Sequence, residues 1–228
     1  MSIPAKDDSM SVGLYMPSQD SAALRPLLAD GGLLWSAHRG VGYERVVEPD
    51  VEPYWDHYEQ LEFSGPITKE LNKFRVEFVA KHTMGLLLDI GIGNGAFLRA
   101  RNETGAPTRG FDVNSKACAY LKKIGAFTEI FSESAVESAT FWDSLEHIED
   151  PSAVLAKIEH FAFVSLPIFY DLTGVLRSKH YKPKEHRWYF TKPGLIWYFE
   201  TCGFRCIDIS HKESDLGRQD VGTFAFSR

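Results

Sequence analysis

Cysteine is scarce in this chain, with three residues in 228, and no two of them form a CxxC pair. A disulfide framework needs an even set of cysteines, so Cys118, Cys202 and Cys206 predict a reducing, cytoplasmic environment. Cys202 and Cys206 have only His211 close in sequence and lack the paired spacing of a zinc centre. The sequence therefore predicts no metal site.

Long apolar runs and an excess of basic charge are also lacking. There is no run of about eighteen consecutive apolar residues, which excludes a membrane span, and residues 1–8 contain no apolar run of the signal-peptide kind. The formal net charge of −6 argues against a broad nucleic-acid-coating surface. We expect no membrane partner; nucleic acid stays an open alternative that the charge does not favour, and the sequence does not indicate an oligomeric state.

A glycine-rich loop is the most informative feature that the chain does contain. The segment Leu86–Leu98 is typical of a buried strand that runs into a glycine loop and opens a helix. Glycines allow a tight turn and let a ligand contact the backbone, and the unpaired N–H groups of a helix start attract an anion. The segment therefore predicts a site for a nucleotide-like cofactor.

The spacing of this loop fits two templates. Gly91, Gly93 and Ala96 match the dinucleotide-binding fingerprint, whereas Asp89, Gly91, Gly93 and Gly95 match an acidic-x-Gly-x-Gly-x-Gly pattern. An acid two residues before the first glycine suits a ligand that carries an ammonium group and would repel a pyrophosphate. Asp89 therefore favours the second template.

The order of elements predicts an α/β domain. Residues 1–53 are rich in Gly, Pro, Asp and Ser and predict an irregular N-terminal arm, which leaves 54–228 as the functional domain. After a helix near 67–78, strands and helices alternate, as in a mostly parallel sheet. A short third strand is expected at 127–131, and 204–226 predicts a terminal antiparallel hairpin.

Three motifs in order carry a family resemblance: Asp89–Gly95, Gly110–Asp112 and Phe141–Ile148. Over about residues 60–228 the chain resembles the class I S-adenosylmethionine (SAM)-dependent methyltransferases, in particular the compact group with Leu-Glu-His after the fourth strand. More weakly, Ser165–Ile168 and Glu185–Thr191 are similar to unassigned phage-encoded methyltransferases. The resemblance implies SAM as cofactor and a Rossmann-like α/β fold: a seven-stranded, mostly parallel sheet with a terminal antiparallel hairpin and helices on both faces.

The expected cofactor site combines the glycine loop with two further strand ends. Asp112 lies 23 positions after Asp89, where a carboxylate accepts both ribose hydroxyls, with a helix-capping acid as the alternative. Val113 beside it is expected to pack on the adenine. The full set of cofactor residues is Asp89, Gly91, Gly93, Asn94, Gly95, Asp112, Val113, Asp143 and Ser144.

The fourth strand end supplies the candidate catalytic residues, Asp143 and His147. Asp143 and Ser144 are expected to border the sulfonium and the substrate, because open α/β sheets bind ligands at this rim. His147 is either a general base, since its ordinary pKa lies near neutrality, or a residue that holds the loop by a hydrogen bond. Both roles stay open, with the second favoured.

The methyl acceptor is the least defined part of the prediction. His186, Arg187 and Trp188 are the candidate substrate-binding residues, because cations grip an anion and aromatic rings stack; a solvated basic loop is the alternative. The DPPY-type and Pro-Cys motifs of DNA methyltransferases are absent. We expect methyl transfer to oxygen or nitrogen of a small or nucleotide-like, anionic acceptor. The alternatives are an NAD(P)-dependent oxidoreductase and a catalytically silent SAM-binding scaffold.

Overall fold

The computed structural model describes residues 32–45, 66–133 and 135–228. The strands in these ranges are β1 (Leu33–Ser36), β2 (Val41–Glu44), β3 (Leu87–Ile90), β4 (Thr108–Phe111), β5 (Val136–Trp142), β6 (Ile158–Phe169), β7 (Trp188–Thr191), β8 (Arg205–Ser210) and β9 (Val221–Ser227). The helices are α1 (Pro66–Ala80), α2 (Ala96–Glu103), α3 (Ser115–Lys123), α4 (Pro151–Leu155), α5 (Leu172–Arg177), α6 (Lys192–Thr201) and α7 (Lys212–Asp215). A 3₁₀ turn covers Leu145–His147.

The main sheet has the order β4-β3-β5-β6-β9-β8. The pairs β3–β4, β3–β5 and β5–β6 are parallel, and β9 runs antiparallel to both β6 and β8. The predicted Rossmann-like α/β fold with a terminal antiparallel hairpin is confirmed. Because the parallel strands end at the same edge, the segments that follow β3, β4 and β5 share one rim of the sheet.

Local sequence signals explain where several helices begin. The Asn114 side chain accepts hydrogen bonds from the N–H groups of Lys116 and Ala117 at the start of α3. Asp150 caps α4, and Thr191 caps α6 by accepting from the Gly194 N–H at 3.0 Å. These caps satisfy N–H groups that have no partner within the helix, and Asn, Asp and Thr are residue types that favour this position.

The predicted third strand at 127–131 is reduced to one parallel bridge between Gly110 and Phe127. The N–H of Thr128 still bonds to the Gly110 carbonyl at 3.0 Å, but the chain then turns, with Ser132 and Glu133 both donating to the carbonyl of Glu129. The turn ends the strand after one pairing. Beside β4 the sheet therefore lacks one of the seven expected strands. It also differs from the expected sheet beyond β6, where further strands are added.

A second group of strands extends the sheet from β6. The last residues of β6 pair in parallel with β7, β7 pairs antiparallel with β2, and β2 with β1. The expectation of an irregular arm over 1–53 is therefore wrong for residues 32–45, where Leu33, Trp35, Val41 and Tyr43 are buried. Burial of these apolar side chains against β7 is what favours the strands. Residues 1–31, the rest of the arm and the proposed boundary at 53–54 lie outside the described residues.

Helix α1 packs beside α2 and buries Phe78 and Val79. Phe78 meets Phe163 of β6 edge-on, with ring centroids 6.4 Å apart. This contact fixes α1 over the sheet and brings its inner face towards the end of β5. Among the described residues, no helix has the length and apolar character needed to cross a membrane.

Candidate functional site

The glycine loop after β3 has the backbone that its sequence predicts. Gly91, Gly93 and Gly95 have φ values of +76°, +52° and +71°, a region that favours glycine. At Gly91 an added Cβ would lie 2.5 Å from the Cβ of Ser144, so any larger residue must displace the segment after β5. The Gly91 N–H donates to the Phe111 carbonyl at 2.8 Å, which ties the loop to the end of β4.

Two predicted cofactor residues support this loop from within the protein. The Asn94 side chain accepts from the Ala96 N–H at 3.0 Å and so stabilises the first turn of α2. The Ser144 hydroxyl donates to the Ile90 carbonyl at 2.5 Å and joins the end of β5 to the end of β3. Both side chains hold the loop in place.

Asp89 lies inside the sheet at 1% exposure, opposite Thr140 of β5. Thr140 Oγ1 donates to Asp89 Oδ1 at 2.8 Å. Burial raises the pKa of Asp89 to about 7, and the Thr140 hydrogen bond and the charge of Arg75 oppose this rise only in part. A cationic ligand group at this point would favour the ionised carboxylate.

Asp112 follows β4 directly and points its carboxylate at the glycine loop. Its Oδ1 accepts from the Asn114 N–H at 2.9 Å, and the backbone N–H groups of Ile92 and Gly93 also favour its ionised form. Burial nevertheless raises the pKa of Asp112 above its ordinary value. Val113, the next residue, is 76% exposed, so its side chain is free to contact a ligand.

Phe131 is a candidate contact residue that the sequence analysis did not identify. Its ring is 61% exposed and meets Phe111 edge-on, with centroids 5.6 Å apart, beside the end of β4. An exposed large aromatic side chain next to Asp112 and Val113 offers a flat apolar surface. The available signal was the aromatic residue at the end of the expected third strand.

Asp143, predicted as both a cofactor and a catalytic residue, is held by two arginines. Arg75 donates to Asp143 Oδ2 at 3.1 Å and Arg218 donates to Oδ1 at 2.7 Å. Burial would raise the pKa of Asp143, but the charges of Arg218 and Arg75 outweigh it, so the pKa is lowered. With its pKa lowered and both of its oxygens accepting hydrogen bonds from arginines, this carboxylate is too weak a base to take a proton from an acceptor. The residue has φ of +55°, which aspartate tolerates better than most residues.

The same two arginines share a second carboxylate, Glu213 of α7, whose side chain is fully buried. Arg75 donates to it through Nε and Nη2 at 2.8 and 2.9 Å, and Arg218 donates to its Oε2. The guanidinium of Arg75 also lies over the Trp142 ring, 4.8 Å from its centroid. We call Arg75, Asp143, Glu213 and Arg218 the charge cluster; it has no net charge and joins α1, β5 and the segment around α7.

A third group of side chains comes from the 3₁₀ turn after β5 and from the segment just before β7. Each of Glu146, His147 and His186 offers one atom that could bind a metal ion, a carboxylate oxygen or a ring nitrogen. These three atoms all lie within 4.8 Å of one another. His147 Nδ1 lies 3.0 Å from the Glu185 carbonyl, and its ring meets that of His186 edge-on at 4.7 Å. Burial lowers the pKa of His147, lowers that of His186 to about 3, and raises that of Glu146 to about 8.

The structure separates the three predicted substrate-binding residues. His186 lies beside His147, but Trp188 is only 3% exposed, donates to the Ile148 carbonyl at 2.9 Å and packs edge-on against Tyr43. Arg187 donates to the carbonyls of Glu44 and Arg45, each at 3.2 Å. Direct acceptor contact by Trp188 is therefore not supported, because its side chain belongs to the core. The Arg187 side chain holds the end of β2 in place.

A cavity of about 480 Å³ lies between α1 and α2. Its lining includes Lys69, Lys73, Arg99 and Glu103 and none of the predicted cofactor residues. We place the candidate site at the rim instead, because that is where the glycine loop, Asp89 and Asp112 converge.

Sequence comparison gives a family match over a large part of the chain. The family described as Methyltransferase domain matches residues 67–209, more than half of the sequence. This range includes the glycine loop, Asp112 and the turn at 145–147. No curated protein matches the sequence significantly.

Several solved structures share the fold. A 1,6-didemethyltoxoflavin-N1-methyltransferase from Burkholderia thailandensis, with S-adenosylhomocysteine bound, is 13% identical with a TM-score of 0.56, covering 90% of this chain and 98% of that one. The magnesium protoporphyrin IX methyltransferase of Synechocystis PCC 6803 is 14% identical with a TM-score of 0.55, covering 77% and 93%. A SAM-dependent methyltransferase from Archaeoglobus fulgidus is 18% identical with a TM-score of 0.51, covering 77% and 100%. The family match and this shared fold agree with the glycine loop: the chain belongs to the methyltransferase domain family, and the prediction of a SAM-dependent methyltransferase is confirmed.

Proposed function

We propose that this protein holds SAM across the carboxyl ends of β3 and β4 and methylates an oxygen or nitrogen of a small or nucleotide-like, anionic acceptor between the end of β5 and the segment that precedes β7. The observation that carries the proposal is the convergence of the glycine loop, Asp89 and Asp112 at one rim. When bound, the cofactor supplies an activated methyl group, so the protein has to position the acceptor and exclude water.

The residues at this rim fit SAM in their chemistry. Asp89 offers a buried carboxylate for the ammonium group, and Asp112 offers a carboxylate for the ribose hydroxyls. Val113 and Phe131 supply exposed apolar surface beside Asp112 for the adenine. A dinucleotide would instead bring its pyrophosphate towards Asp89, which is the physical argument against the oxidoreductase alternative.

The acceptor side is inferred from the segment between β6 and β7. Lys182 lies close to His186, because its carbonyl accepts from the His186 N–H at 2.8 Å, and its Nζ pairs with Glu185 at 2.8 Å. A cation at this position favours an anionic acceptor. We assign His147 the role of holding the loop, because its Nδ1 is engaged by the Glu185 carbonyl.

The test of the cofactor site is the replacement of Asp112 by alanine. We expect SAM affinity to fall by about 1.5–3 kcal/mol, the scale of hydrogen bonds to a charged group, as measured by calorimetry. Asp150→Ala is the matched control: it removes a carboxylate that caps α4, so it should lower the melting temperature and leave SAM affinity unchanged. Equal SAM affinity of Asp112→Ala and wild type would show that Asp112 only caps the loop.

The acceptor is sought by incubating the protein with labelled SAM and panels of metabolites, nucleotides and nucleic acids. We expect label transfer to a small or nucleotide-like anion. Transfer to none of these, with SAM binding intact, would favour the silent scaffold and contradict the proposed reaction.

A further inference from the structure

Glu146, His147 and His186 form a cluster with the donor set of a metal site. Their ligand atoms lie within 4.8 Å of one another, and both Glu146 and His186 are almost fully buried, at 2% and 6% exposure. Two imidazoles and one carboxylate are a common ligand set for divalent ions such as zinc and ferrous iron. An ion ligated at about 2.1 Å needs neighbouring ligand atoms roughly 3.0–3.5 Å apart, so ligation requires these side chains to move somewhat closer together.

An independent observation points to a missing partner at this cluster. Glu146 Oε2 is buried and has no hydrogen-bond partner among the described residues. A buried carboxylate oxygen without a partner is costly, since it has lost its water and gained nothing in return. A cation held between this oxygen and the two imidazoles would remove that cost.

The surrounding backbone holds the ligands in a suitable orientation. The Arg187 N–H donates to the Glu146 carbonyl at 2.8 Å, which fixes His186 beside the 3₁₀ turn. His147 Nδ1 is 3.0 Å from the Glu185 carbonyl, so donation from Nδ1 leaves Nε2 with a free lone pair. Metal-binding histidines commonly donate their second ring N–H to such a carbonyl.

Asp143 does not belong to the ligand set, although it precedes the cluster by three residues. Both of its oxygens are engaged by arginines of the charge cluster, as described above. The site therefore has one negative ligand, and a divalent ion would leave a net positive charge near the acceptor.

We propose that Glu146, His147 and His186 bind one divalent transition-metal ion next to the methyl-transfer site. Three protein ligands leave coordination positions open, as in catalytic zinc sites. This metal site rests on the proposed function, and it assigns the acceptor to one chemical class. The acceptor would be a molecule with a hydroxyl or carboxylate oxygen that ligates the ion. The ion would hold that oxygen beside the cofactor.

Metal binding is tested without any acceptor, on tag-free protein treated with EDTA and dialysed. Titration with Zn²⁺ and Co²⁺, followed by calorimetry and by the visible spectrum of Co²⁺, should give one equivalent per chain. Glu146→Gln and His186→Gln should each weaken Co²⁺ binding at least 10-fold. His160→Gln, at an exposed histidine of β6, is the matched control and should bind like wild type.

The outcomes separate this inference from the proposed function. No stoichiometric metal in the wild type, or equal Co²⁺ affinity in Glu146→Gln and wild type, overturns the metal site even if SAM binds. If both variants fail to fold, Mn²⁺ is added to the wild type and the imidazole NMR signals are recorded. Broadening of the signals of His147 and His186 but not of His160 supports the site. Uniform broadening of all three overturns it.

The acceptor class is tested with acetohydroxamate, a small oxygen chelator. A change in the Co²⁺ spectrum on its addition is expected if coordination positions are open. An unchanged spectrum with Co²⁺ bound would show a closed site and overturn the assignment of a metal-ligating acceptor.

Discussion

The two halves of the candidate site are built in different ways. The cofactor half, at the ends of β3 and β4, consists of residues close together in sequence, and Val113 and Phe131 are exposed there. The acceptor half, at the end of β5, is held by buried side chains from distant segments: Arg75 and Glu213 are 138 residues apart, and Arg75 and Asp143 are 68 apart. One half is specified by local backbone geometry and the other by tertiary contacts.

This difference separates the effects expected from mutation. In the cofactor half, the glycine loop has to leave room for a ligand, so substitutions should act first on affinity. In the charge cluster, each ion has been moved out of water and relies on its partners, so the loss of one should act first on stability. Variants of Glu213, Gly91, Asp89 and Arg187 test this contrast, in decreasing order of effect.

Replacing Glu213 by glutamine should have the largest effect on stability. The variant leaves Arg75 and Arg218 with only Asp143 between them, and removing one member of a buried ion network costs about 3–5 kcal/mol. Urea denaturation measures the free energy of unfolding. The control is Glu200→Gln, at an exposed position of α6, which should change it by less than about 0.5 kcal/mol. Similar values for the two variants would show that the cluster contributes little.

Replacing Gly91 by alanine should abolish tight SAM binding. The new Cβ would lie 2.5 Å from Ser144 Cβ, at a backbone φ of +76°, so the loop has to move away from its ligand-binding position. We expect at least a 100-fold loss of affinity by calorimetry. Gly125→Ala has a similar φ of +70° with nothing within 4 Å of the new Cβ. It should lose only about 1–2 kcal/mol of stability and keep its SAM affinity; an equal loss of affinity in both variants would contradict the account.

Asp89→Asn should weaken SAM binding while stabilising the free protein at alkaline pH. Because burial raises the pKa of Asp89 from 3.8 to about 7, the folded state keeps a proton that the unfolded state has lost. The contribution of Asp89 to stability is therefore complete below about pH 4 and is lost as the pH rises through 7.

Measurements at two pH values test this prediction. Above pH 7 the variant should be more stable than the wild type, on the order of a few kcal/mol, and at pH 4 the difference should disappear. Its SAM affinity should be about 10- to 150-fold lower, because the ammonium group loses a charged partner. A variant less stable than the wild type at pH 8 would indicate that Asp89 is ionised and well paired in the free protein.

Arg187→Ala should have the smallest effect. It removes two hydrogen bonds to the carbonyls of Glu44 and Arg45, so the free energy of unfolding should fall by about 1–2 kcal/mol. SAM affinity should stay within two-fold of wild type. Arg205→Ala, at an exposed position of β8, is the control and should change neither quantity. Unchanged stability with weakened acceptor binding would restore the original interpretation of Arg187 as an anion clamp.

Much of the fold and the backbone of the glycine loop could be predicted because their signals are local. The glycine loop, the caps at Asn114, Asp150 and Thr191, and the hairpin of β8 and β9 each follow from a few adjacent residues. The resemblance to a known family predicted the order in which these elements follow one another in the fold. Local backbone preferences are the part of folding that a short sequence window contains.

The remainder depends on pairings between distant residues. Val41–Glu44 forms a strand because it pairs with β7, nearly 150 residues later, and its neighbours are rich in loop-forming residues. Arg75 lies in an otherwise ordinary amphipathic helix, and Glu213 lies in a short polar segment that reads as a turn. Neither residue has a local sequence pattern that indicates a partner, so the charge cluster could not be predicted from the sequence. The same holds for the burial of Trp188, which depends on contacts with distant residues such as Tyr43.

The most direct test of the central claim is calorimetric titration of the wild-type protein with SAM, S-adenosylhomocysteine and NADH. We expect saturable one-site binding of the first two and no heat from NADH. Binding of NADH without any heat from SAM or S-adenosylhomocysteine would contradict it, because the carboxylate of Asp89 and the loop it precedes would then serve a dinucleotide.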